Sequence, residues 1–117
     1  MYKSWLPVLI FDSARKEILS WPLEARKDLG SVLTKLQKKI EIGFPDTRPV
    51  STIELGVFEV RIKEASGVFR AFYVIKSEYG ILVFHAFQKK SQKTPKHEIE
   101  LGRQRLRLFM DELKNEK

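Results

Sequence analysis

No cysteine occurs among the 117 residues, so disulfides, thiolate metal sites and cysteine nucleophiles are excluded. Histidine is nearly as scarce. His85 and His97 are the whole complement, too few for a histidine-built metal centre. Long hydrophobic runs are missing too. The apolar stretch Trp5 to Phe11 falls far below the roughly 20 residues a membrane helix needs, and Pro7 interrupts it. The opening Met-Tyr-Lys-Ser-Trp has no small-residue cleavage site of the kind that ends a signal peptide, so a soluble, cytoplasmic protein is expected. Repeats, low-complexity tracts and linker-like stretches are absent, and the length suits one domain over residues 1–117. There is no GxxxxGKS/T phosphate loop, no HExxH helix and no Gly-x-Ser-x-Gly nucleophile elbow.

What the chain does have is positive charge. The formal net charge is +7, and charged residues make up 32% of the sequence with both signs present. That balance argues against disorder and for a polyanionic partner, either nucleic acid or an acidic protein. The excess is local. Lys89, Lys90, Lys93, Lys96, Arg103, Arg105 and Arg107 face only Glu98 and Glu100 in the same stretch.

Periodicity predicts an α+β fold with two N-terminal helices, an antiparallel sheet meander and a C-terminal helix. Trp5 to Phe11 reads as a first strand. Asp12 is placed to cap a helix over Ser13 to Leu19. After Ser20-Trp21-Pro22 a second helix is expected to run to about Glu41, with Ala25, Leu29, Val32, Leu33, Leu36 and Ile40 inward and Gly43 as its stop. Phe44 to Leu55 reads as a loop. Three strands follow, over Phe58 to Lys63, Phe69 to Lys76 and Ile81 to Gln88, joined by short turns. Pro95 then opens a helix to Leu113 whose inward stripe is Ile99, Leu106, Phe109, Met110 and Leu113. Gly102 beside that stripe lets the helix approach the sheet closely.

Register follows from the turns. A hairpin loop over Glu64 to Gly67 sets Arg61 opposite Arg70 and Lys63 opposite Val68. A second turn centred on Glu78-Tyr79 sets Phe72 opposite His85 and Arg70 opposite Phe87. Directly opposed residues share a face. Arg61, Arg70 and His85 therefore point one way, while Phe58, Val60, Ile62, Phe69, Ala71, Tyr73, Leu82, Phe84 and Ala86 form the other face. Two opposed arginines repel unless neutralised, and Glu59 is the acid on their face, able to pair with either. The alternative is an anionic ligand, and Lys89 and Lys90 at the neighbouring strand end favour a phosphate.

A set of Arg and Lys with one His can hold a scissile phosphate and neutralise charge in a pentacoordinate transition state. A lysine depressed by neighbouring cations can serve as acid or base. RNA brings its own nucleophile, the 2′-hydroxyl, so no metal or cofactor is required. A two-histidine ribonuclease mechanism is disfavoured, because His85 falls on a strand and His97 on a helix.

Three strings carry a family resemblance. Leu55-Gly56-Val57-Phe58-Glu59-Val60-Arg61 resembles the "L-x-x-G-l-x-E-l-R" segment of phage-derived Gp49-like/HigB toxins of the RelE superfamily. Val68-Phe69-Arg70-Ala71-Phe72-Tyr73 resembles their "y-R-v-f-Y" strand. His85-Ala86-Phe87-Gln88-Lys89-Lys90-Ser91-Gln92-Lys93-Thr94-Pro95 is similar to "h-x-F-x-K-K-t-q-K-T-P", followed by a helix beginning Glu98-Ile99-Glu100. The order of elements agrees, so the resemblance spans nearly the whole chain.

The resemblance implies a RelE-like fold and the toxin of a type II toxin–antitoxin pair. Such a toxin is an endoribonuclease that cleaves mRNA on the ribosome without a cofactor and is silenced by a helix-turn-helix antitoxin. Arg61, Arg70, Lys89 and Lys90 match its basic positions. His85 is either catalytic or a satisfied sheet histidine. Gln92, Lys93, Lys96, Arg103 and Arg107 are expected to bind RNA. Thr94, before Pro95, reads as a helix cap. The chain departs from some relatives at the C-terminus, where Asp111 to Lys117 offers neither tyrosine nor histidine as an acid–base group. The competing readings are an RNA- or ribosome-binding module that does not cut, and a phage structural or DNA-binding accessory protein.

Overall fold

A computed structural model describes residues 5–43, 46–89 and 94–116. The elements run β1 (Val8–Ile10), α1 (Asp12–Leu19), α2 (Leu23–Gln37), β2 (Thr47–Pro49), β3 (Phe58–Glu64), β4 (Gly67–Lys76), β5 (Gly80–Lys89) and α3 (Lys96–Asn115). The strands form one sheet in the order β1-β5-β4-β3-β2. The α+β class and the central β3-β4-β5 meander are as the sequence predicts. The sheet itself is mixed, because β1 joins β5 in parallel. Short β2 lies where a loop was expected and pairs antiparallel with β3. Among the described residues no helix is long and apolar enough to cross a membrane.

Alternation along the strands gives the sheet two apolar faces. Phe69 on one face meets the Trp21 ring at 5.1 Å, under the α1–α2 corner. Ala25, Leu29, Leu33 and Leu36 bury the inner side of α2. Phe72, three residues along β4 and so on the opposite face, lies under α3. A Cβ added at Gly102 would stand 2.8 Å from Phe72 Cδ2, so a side chain there would push the helix off the sheet. Leu106, Phe109 and Leu113 complete the buried stripe of α3, with Ile99 and Met110 partly buried beside it.

The register holds through the site. Arg61 opposes Arg70, Lys63 opposes Val68, Arg70 opposes Phe87 and Phe72 opposes His85. Beyond Phe72 a bulge shifts the pairing, so that Tyr73 faces Val83 rather than Phe84.

The helix ends differ from expectation. Asp12 does not cap α1; Phe11 occupies the cap position, and Asp12 lies in the first turn with Lys16 at 3.2 Å. Helix α2 stops at Gln37, short of Glu41. Ile40 N–H bonds Lys35 C=O and Lys39 N–H bonds Leu36 C=O, while Lys39 turns left-handed at φ 64°. This is the Schellman pattern with lysine in the glycine place, so Gly43 is not the stop and Ile40 is carried out to the surface. Thr94 does not cap α3 either; Pro95 holds that position with no side-chain cap bond, and the Thr94 hydroxyl is used elsewhere.

Candidate functional site

The α3-facing side of the sheet carries its charge at one end. Residues 59 and 61 of β3 point to this side, as do 70 of β4 and 85, 87 and 89 of β5. Arg48 on β2 stands opposite Glu59 and joins them. At the His85 end α3 covers the face. The other end holds Arg48, Arg61, Arg70 and Lys89 around one carboxylate, that of Glu59.

Glu59 is fully buried and Arg70 is 1% exposed. The Arg70 Nη1 donates to Glu59 Oε1 at 2.7 Å, and the Thr94 hydroxyl donates to Glu59 Oε2 at 2.7 Å. Both carboxylate oxygens are thus engaged, one by the sheet and one by the chain just before α3. The sequence left open which arginine Glu59 neutralises; the structure gives it to Arg70. Arg48, Arg61 and Lys89 stand about that pair.

Lys89 is 5% exposed, and its Nζ is shielded from solvent with no hydrogen-bond partner among the described residues. Burial first, then the neighbouring Arg70, pushes its pKa down to about 8, with Arg61 and Arg48 adding to the fall and Glu59 opposing it. Arg61 is half-buried. Its Nε is likewise shielded and unbonded, and its pKa is lowered by burial and then by Arg70 and Arg48, against Glu59. A buried cation without a partner is costly. Lys89 and Arg61 thus make a site suited to an anion, and Lys89 can change protonation near neutral pH.

His85 lies on the same face but is held by α3. Its Nε2 is 2.7 Å from Glu98 Oε1 and its Nδ1 is 2.8 Å from Arg105 Nη1. A guanidinium only donates, so Nδ1 accepts and Nε2–H donates to Glu98. The ring is therefore neutral, and burial lowers its pKa, the Glu98 hydrogen bond opposing. Phe72 and Phe87 flank it, each with a ring centroid 5.4 Å away. With both nitrogens used, this geometry is that of a satisfied sheet histidine tying β5 to α3.

Of the remaining residues singled out in the sequence, Lys90, Gln92 and Lys93 lie outside the described residues. Lys96 and Arg107 are exposed on α3, spaced so that they share a stripe with Arg103. Arg103 donates to Thr52 C=O at 2.6 Å and pairs with Glu100 at 2.7 Å, so it also serves the fold.

Sequence reasoning missed Arg48, because Thr47-Arg48-Pro49 carries no strand signal and Pro49 argues against one. It also missed Arg105. There a signal existed, since Glu98 and Arg105 sit seven residues apart and therefore on the same side of α3 as the buried stripe.

A family model described as phage-derived protein Gp49-like (DUF891) matches residues 16–107. The chain belongs to the Gp49-like family, a RelE-superfamily toxin family. No curated protein and no solved structure matches it. The matched stretch of this Gp49-like chain includes every member of the cation cluster, Glu59, Thr94 and the His85–Glu98–Arg105 tie.

Proposed function

We propose that this Gp49-like protein is the toxin of a type II toxin–antitoxin system, an endoribonuclease that cuts mRNA on the ribosome and is silenced by a helix-turn-helix antitoxin. The observation that carries the reading is Lys89: a buried ammonium without a partner among the described residues, poised near neutrality, among Arg48, Arg61 and the Arg70–Glu59 pair.

In this reading the 2′-hydroxyl of the RNA attacks the adjacent phosphorus and the 5′-oxygen leaves, giving a 2′,3′-cyclic phosphate. Arg61 and Arg48 neutralise the charge that builds on the non-bridging oxygens. Arg70, committed to Glu59, sets the positive potential of the floor. Lys89, neutral in part at physiological pH, takes the 2′-hydroxyl proton or, when charged, supplies one to the leaving oxygen. The chemistry calls for no metal or cofactor. Lys96 and Arg107 on α3 would hold phosphates outside the cut site, and Lys90, Gln92 and Lys93 would add further RNA contacts.

The test is expression with primer extension on translating ribosomes. Wild-type protein arrests growth and produces discrete mRNA cuts; Arg61→Ala and Lys89→Met relieve the arrest and abolish the cuts while remaining folded. Arg70→Ala is a poorer probe, since it strands Glu59. If Arg61→Ala and Lys89→Met stay fully toxic, the assigned site is wrong. If wild-type protein binds ribosomes and leaves mRNA uncut, the protein is a binding module. The engagement of both His85 nitrogens favours that second reading to one extent: it leaves the acid–base work to Lys89.

A further inference from the structure

Strand β3 outlasts its neighbour. Its pairing with β2 covers Phe58 to Val60, and the last contact on that side is Arg61 N–H to Asp46 C=O at 2.8 Å. Main-chain groups two residues apart point the same way along a strand. The Arg61 C=O and the Lys63 N–H and C=O therefore face outward on this edge with no strand beside them among the described residues. On this side lies an open groove of about 370 Å³ between the edge and α2. That is ample for a planar ring system and at the small end of ligand-binding clefts.

The lining is mixed in a specific way. Val32 from α2 and Ile62 from β3 form an apolar floor, while the Asp28 and Asp46 carboxylates stand at its sides. Glu64, at the end of β3, lies beside Asp28, and a hydrogen bond between the two raises the Glu64 carboxyl. The Asp46 carboxylate has no ion pair among the described residues. Arg61 lines the same groove, so a single residue belongs both to the cation cluster and to this cleft.

We propose that this groove is a nucleobase pocket that seats a guanine of the RNA whose phosphate lies on Arg61. An apolar floor accepts a flat base by its face. The free strand edge offers a main-chain donor for a ring carbonyl, and the carboxylates accept N–H groups. Guanine presents a carbonyl and two adjacent donors on one edge. Uracil presents one N–H, and adenine and cytosine present a single amino group beside an acceptor that a carboxylate would repel. The inference deepens the RNA-cleaving reading by naming the base that the site selects, and it rests on that reading for the phosphate.

The probes are the four nucleoside 3′-monophosphates, titrated into the full chain and followed by amide NMR. Guanosine 3′-monophosphate is expected to bind on the order of tenfold tighter than the other three, with shifts centred on Ser31, Val32, Ile62 and Lys63. Asp46→Asn and Asp28→Asn, with spectra otherwise unchanged, are expected to bring the four affinities together. Equal binding by all four nucleotides, or shifts centred elsewhere, overturns the pocket. Mapping cuts on translating ribosomes separates the two readings. Cleavage with no guanine preference beside the cut overturns the pocket and leaves the nuclease standing. Selective guanine binding in the groove without cleavage supports the pocket and defeats the nuclease reading.

Discussion

Replacing Lys89 with methionine tests the physical basis of the site. The change keeps the length and packing of the stem and removes the buried charge. The folded-state pKa of about 8 lies below the ordinary lysine value of 10.5. At about 1.4 kcal/mol per pH unit, carrying that charge in the folded state costs about 3 kcal/mol below pH 8. Because the depressed value belongs to the folded state, folded protein gives up the proton first, and stability rises with pH between about 8 and 10.5. Urea denaturation at pH 7, 8, 9 and 9.5 follows this directly. Wild-type protein should gain about 2 kcal/mol from pH 8 to 9.5, and Lys89→Met should show no such rise. At pH 7 the variant should be the more stable by about 3 kcal/mol, as seen when buried charges are replaced by apolar residues. The series stops short of pH 10 because burial raises Tyr73 to about 12, so stability is lost above the ordinary tyrosine value as the unfolded chain ionises first. The same variant should lose mRNA cleavage. A Lys89→Met protein no more stable than wild type at pH 7, or one with the wild-type pH slope, would refute the claim that Lys89 carries an uncompensated buried charge.

Arg70→Ala leaves the Glu59 carboxylate buried without its cation and should cost about 3–5 kcal/mol in denaturant unfolding. Arg70→Met combined with Glu59→Leu should recover most of that loss, since neither member of the pair is then left as a buried charge without the other. Gly102→Ala drives a methyl into Phe72 and should cost about 1–3 kcal/mol, read as a lowered midpoint in thermal unfolding. His85 is held neutral by burial, so its folded pKa lies below the ordinary histidine value of 6.5. Its contribution is complete above pH 6.5 and drains away as the pH falls below it, because the unfolded chain takes the proton first. Denaturant midpoints between pH 7.5 and 5 should therefore decline in wild type and flatten in His85→Asn.

The central sheet was readable from the sequence because its turns are short. Two hairpins fix the register of three strands, and register alone puts Arg61 beside Arg70 and His85 opposite Phe72. Of the outer strands, β1 was readable in the apolar stretch Trp5 to Phe11, but its parallel pairing with β5 was not. Thr47–Pro49 was not readable: it spans three residues, too few for a period to show, and becomes a strand because β3 offers an unpaired edge. Capping misled for a related reason. Thr94 has the chemistry of a cap, but Glu59 is buried within reach and one of its oxygens needs a donor, so the hydroxyl goes there.

By itself, the sequence determined the α+β class, the register of the meander as far as the bulge after Phe72 and the gathering of Arg61, Arg70 and Lys89 at one end of a sheet face, because these depend on alternation and on turns a few residues long. Only the tertiary structure decided which cations are neutralised. Glu59 is 11 residues from Arg70 and 35 from Thr94, and the tie from His85 to Arg105 spans 20. Such pairings depend on which side chains are shielded from water together, and local periodicity holds no record of that. Burial turns Glu59 into a hub, His85 into a neutral tie and Lys89 into a cation that lacks a partner among the described residues.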